Sequence, residues 1–114
     1  VVIGSRQFFC LLALFDFLER WVLETDFRGC AFLNIASEFP SAANQIRETV
    51  SAHKQRQRDF MLELVKLVEP AEALAQAIAD AVFLLFESAL TESRTFRAVW
   101  PVHAARYSVS VLLA

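Results

Sequence analysis

Two glycines and three prolines are all that punctuate 114 residues, and between them apolar side chains return at close to the 3.6-residue spacing of a helix. Few turns are left, and strand signals are nearly absent. The expected fold is all-α: a helical bundle of four long helices plus a short helix, forming one domain over residues 1–114.

The first helix is expected from about Arg6 to Glu24, with Phe8, Leu11, Leu12, Phe15, Leu18 and Val22 on one stripe and Cys10, Leu14, Phe17 and Trp21 on an adjoining one. Arg6, Asp16, Arg20 and Glu24 keep a narrower wet face, so this helix is expected to be buried on two sides. The second runs from about Ser41 to Val68. Ile46, Val50, Phe60, Met61, Leu64 and Val68 define its apolar face, with His53 and Gln57 in the middle of it. The third lies between Glu69-Pro70 and Arg94, with Pro70 suited to its first turn. Apolar residues wrap nearly all of it, leaving only Gln76, Asp80 and Glu87 as a thin polar stripe. The last, from about Ala98 or Pro101 to the end, carries Ala98, Val102, Ala105, Val109, Leu112 and Leu113 on one side and Trp100, Ala104, Tyr107 and Val111 on the other.

Two successive helices that are apolar on two sides need a second partner. Ala81, Leu85, Ala89, Val102, Ala105 and Val109 are the expected interface of a homodimer, closing a four-helix bundle across a two-fold axis. Composition agrees: 56% of residues are hydrophobic and 21% charged, with a mean hydropathy of +0.41. Asp16, Arg20, Asp80 and Glu87 interrupt every apolar run short of the ~18 residues a membrane span needs. A cytoplasmic chain without a membrane partner is expected. Cys10 and Cys30 lack metal-ligand or CxxC spacing and read as buried thiols. A net charge of −2 gives no basic footprint, so these residues alone are not expected to bind DNA.

Between the first two long helices stands Phe27-Arg28-Gly29-Cys30-Ala31-Phe32-Leu33-Asn34-Ile35-Ala36-Ser37-Glu38-Phe39-Pro40. Gly29 allows a turn with positive φ, Phe27 and Phe32 can close over one apolar space, and Pro40 ends the short helix that begins near Ala31. This order resembles the FRGCxFxNxxxEFP segment in the effector-binding half of many TetR-family bacterial transcriptional repressors. The likeness continues through Ala52-His53-Lys54-x-Arg56, and more loosely through Leu84-Leu85-Phe86-Glu87-Ser88-Ala89. It implies a middle set of helices enclosing an effector cavity and a last pair forming the dimer. The N-terminal helix-turn-helix of such regulators has no counterpart here, so the resemblance implies the effector-binding and dimerisation part of a longer regulator.

Phe8, Leu12, Phe15, Phe32, His53, Gln57, Phe60, Phe83 and Phe86 are the candidate cavity residues. His53 and Gln57, four apart on an apolar face, are either a satisfied core pair or the few orienting polar groups of a mostly apolar pocket. Glu38 is either a helix-end or salt-bridge residue or a partner inside the pocket. Lys54, Arg56 and Arg58 share their helix with Glu48, Asp59 and Glu63, and so read as a mixed solvated face rather than a phosphate site. No nucleophile motif or Gly-rich phosphate loop is present, and no enzyme, cofactor or metal is expected. The expected function is sensing of a small apolar or aromatic effector, which would control DNA binding through the missing N-terminal domain. The alternative is a dimeric helical adaptor with no small ligand.

Overall fold

The computed structural model describes residues 6–30, 34, 38 and 43–114, apart from the side chains of Gln7 and Ala43. Four helices account for most of them: α1 (Arg6–Glu24), α2 (Ala43–Lys66), α3 (Glu72–Phe96) and α4 (Trp100–Leu112), with no strand among the described residues. Asn34 and Glu38 are helical; the rest of the expected short helix, the expected start of α2 at Ser41 and the candidate Phe32 lie outside the described residues.

The α1 stripe is placed as its spacing predicts. Phe8, Leu11, Leu12, Phe15, Leu18 and Val22 are all at most 7% exposed, and they meet Met61 and Val65 of α2, Val68 in the turn after it, Ala75, Ile78, Ala79, Val82 and Ala89 of α3, and Val102, Ala105 and Val109 of α4 in one core. Alanines on the inner line of α3 let the helices approach closely there. The second stripe of α1 is covered only in part by the described residues: Leu14 and Trp21 pack against the core, whereas Phe17 is 55% exposed and Cys10, expected to be a buried thiol, is exposed.

Charged residues ring this core in cross-helix pairs. Lys54 and Arg58 of α2 pair with Glu87 and Asp80 of α3, while Asp16 and Glu19 of α1 pair with Arg106 and His103 of α4. The thin polar stripe of α3 is thus the seam along which α2 lies. Asp80 accepts from Arg58 Nε at 2.8 Å, Arg58 Nη2 at 3.1 Å and Gln76 Nε2 at 2.9 Å. The guanidinium holds the Asp80 carboxyl below the ordinary aspartate range, and the carboxylate raises Arg58 in turn.

Asp80 and Glu87 interrupt the apolar run of α3, yet an 18-residue window that contains them reaches a mean hydropathy of 1.6, long and apolar enough by length and composition alone to cross a membrane, with 28% of that window buried. The described residues span 47 × 28 × 16 Å. Among the described residues α3 is covered on part of its circumference only: Leu74 and Leu84 are 50% and 64% exposed.

Candidate ligand cavity

Each of three helices gives one turn of side chains, in the same i, i+1, i+4 spacing, to a cavity of about 270 Å³. Phe17, Leu18 and Trp21 come from α1, His53, Lys54 and Gln57 from α2, and Phe86, Glu87 and Leu90 from α3, with Cys30 entering from the turn after α1. The walls are mainly aromatic and aliphatic. Lys54 and Glu87 cross-link them as an ion pair, with side chains 26% and 19% exposed. Gln57 Oε1 is buried and has no hydrogen-bond partner among the described residues.

The turn carrying Cys30 is built by an unusual backbone. Thr25 caps the end of α1 by donating from Oγ1 to the Trp21 carbonyl at 2.8 Å. Asp26 and Phe27 then take φ of 54° and 58°, and Gly29 takes 80°. Bulky residues rarely adopt positive φ, and here neighbours hold them. The Phe27 N–H donates to the Val22 carbonyl at 2.9 Å, the Arg97 guanidinium sits 5.5 Å from the Phe27 ring centre, and Arg97 Nη2 donates to Asp26 Oδ1 at 3.1 Å. Arg97 is itself left-handed at the end of α3, its N–H donating to the Ser93 carbonyl. Asn34 ties the next step, donating to the Arg28 carbonyl at 3.0 Å while accepting from Arg94. The F-R-G-C…N order is therefore a latch between the end of α1 and the end of α3.

Of the nine candidate cavity residues, the structure brings together His53, Gln57 and Phe86. Phe8, Leu12 and Phe15 lie in the core instead, at 7%, 5% and 0% exposure. Phe15 still backs the wall, edge-on to Phe86 at 5.8 Å between ring centres. Phe83 is half-buried against that core. Phe60 is a correction: it is 51% exposed, because α2 turns Met61 and Val65 inward, and one residue is about 100° of helix. Phe32 lies outside the described residues, and Glu38 is exposed.

Sequence reasoning missed Phe17, Trp21, Lys54 and Glu87. The signal for the first two was present in the second apolar stripe of α1, which had no assigned neighbour. The last two were read as solvated charges, and only the approach of α2 to α3 makes them a wall. Among the described residues no cluster of His, Cys, Asp or Glu could hold a metal ion.

A second hollow, of about 200 Å³, lies between α3 and α4, floored by Ala89, Pro101 and Ala105 and flanked by Leu85, Ser88 and Trp100. The expected dimer residues divide here. Val102 and Val109 are 1% and 0% exposed and face the chain's own core, as do Ala89 and Ala105 at 2% and 5%; Ala81 and Leu85 are half-buried. The uncovered apolar side chains beside them are Leu84 at 64%, Trp100 at 52%, Tyr107 at 71% and Val111 at 56%. Wherever two faces of α4 were both apolar, the sequence assigned the inner one to the partner.

No protein-family model, curated protein or solved structure matches the chain.

Proposed function

We propose that this bundle is the effector-sensing domain of a TetR-like transcriptional regulator, taking a small, largely apolar molecule and acting on a DNA-reading head outside these residues. The observation that carries the proposal is the 270 Å³ cavity at the meeting of α1, α2 and α3. Apolar walls with a few convergent polar groups are the usual makeup of a small-molecule site. The FRGCAFLNIASEFP order supports the reading through its resemblance, since its Cys30 forms part of the wall.

The exposed line of Leu84, Trp100, Tyr107 and Val111 supports a homodimer through α3 and α4. Effector binding would favour one of two arrangements of the paired bundles, and only differential affinity for the two can shift them. A mobility-shift titration of the intact regulator against its operator tests this. Loss of DNA affinity on filling the cavity is expected. Unchanged affinity with the cavity demonstrably occupied overturns sensing in favour of the dimeric adaptor, which the same exposed helix faces would serve.

A further inference from the structure

Resting on the sensing reading, the chemistry of the cavity wall narrows what the cavity accepts. Size comes first. A cavity of about 150 Å³ takes up one benzene, so one of about 270 Å³ has room for roughly two fused rings. Trp21, Phe17 and Phe86 line it, and aromatic side chains pack favourably against such a plane.

Charge comes next. The two ionic groups in the wall, Lys54 and Glu87, are already paired with each other and half-buried. An anion entering here must draw Lys54 from Glu87, and a cation must do the reverse; either leaves a displaced charge with little water around it. A neutral molecule breaks nothing.

The remaining polar side chains of the wall are His53, Cys30 and Gln57, of which Gln57 carries the unpartnered atom. The Gln57 Oε1 is buried without a partner among the described residues, an arrangement that is unfavourable until a donor arrives. The terminal amide turns about a broad torsion, so its oxygen can follow a donor placed in the cavity. We infer that the cavity binds a neutral two-ring aromatic molecule carrying one hydrogen-bond donor, of the naphthol or indole kind, which donates to Gln57 Oε1.

Calorimetric titration of the 114-residue chain with 2-naphthol, 2-methoxynaphthalene and 2-naphthoate separates these terms. The expected order is 2-naphthol tightest, with 2-methoxynaphthalene about fivefold to tenfold weaker because it lacks the donor, and 2-naphthoate weaker again. Gln57→Leu should erase the advantage of 2-naphthol over its methyl ether while both still bind; Gln57→Met serves the same comparison if the leucine variant does not fold. Equal binding of 2-naphthol and the ether, tighter binding of 2-naphthoate, or no binding of any of the three overturns the ligand class. Those results leave sensing intact if a differently shaped compound fills the cavity and releases DNA. Conversely, 2-naphthol bound through Gln57 without any effect on DNA affinity upholds the ligand class and defeats the sensor.

Discussion

The Arg94 side chain runs over Gly29 so closely that a Cβ at residue 29 would stand 2.7 Å from the Arg94 Cδ. Gly29→Ala therefore meets two obstacles. The φ of 80° is costly for any residue with a Cβ, and Arg94 must move, loosening its bond to Asn34. A loss of about 1–3 kcal/mol in urea unfolding is expected. Adding Arg94→Ala should make the alanine at 29 less costly without abolishing its cost, because the backbone strain remains. A double-mutant cycle gives that difference directly.

Phe27 allows strain and packing to be separated at one position. Both Phe27→Ala and Phe27→Gly lose the ring beneath Arg97, but only glycine is at ease at a φ of 58°. The glycine variant should be the more stable of the two by about 1 kcal/mol, read from denaturant midpoints. The reverse order would mean that the corner relaxes once the ring is gone.

The Asp80 carboxyl is held below its ordinary range by Arg58 first, with Gln76 adding to it. A depressed carboxylate contributes stability that is complete above the unfolded aspartate value near 4 and is lost as pH falls through the folded value. Asp80→Asn should thus lower the unfolding midpoint at neutral pH, with the gap to the parent protein closing as the solution is taken to strongly acid pH. A gap of constant size across that window would show that Asp80 acts through its shape alone.

Ser93 is fully buried and its Oγ has no partner among the described residues. Ser93→Ala removes an unsatisfied hydroxyl and keeps the fit, so a gain of up to about 1 kcal/mol is expected, visible as a higher melting temperature. The backbone carbonyl of Ser93, which accepts from Arg97 and Ala98, is untouched.

On α4, Ala104 is exposed beside Trp100 and Tyr107, whereas Ala105 is 5% exposed within the chain. Ala104→Glu should shift sedimentation from dimer to monomer while the helix content of the circular dichroism spectrum stays the same. Ala105→Glu should instead unfold the bundle, since its charge would enter the core without a counterion. A parent protein that sediments as a monomer at all concentrations would remove the dimer from the proposal.

The helices were legible in the sequence because nothing interrupts them. Phe8 through Val22 keeps one phase over about four turns, and the structure buries every member of that stripe. Phase became unreliable where polar residues thin the pattern: along α2, His53 and Gln57 dilute the apolar face, and the reading turned Phe60 inward in place of Val65. The cavity was legible in its location between three helices but not in its membership. Which turn of α1 faces α2 and α3 depends on how the helices cross, and no residue of α1 carries that information alone. The same limit applies to Val102 and Val109, since a face that meets its own core and a face that meets a second copy have the same composition.

The chain's two tryptophans line different hollows: Trp21 is in the wall of the larger cavity, and Trp100 is beside the hollow between α3 and α4, edge-on to Phe96. Indole emission reports the polarity around the ring, so the protein contains two optical probes that answer different questions. With Trp100→Phe, the remaining emission follows occupancy of the cavity. With Trp21→Phe, it follows whatever covers the α3–α4 face, and the order in which the two signals change on adding a compound would time one event against the other.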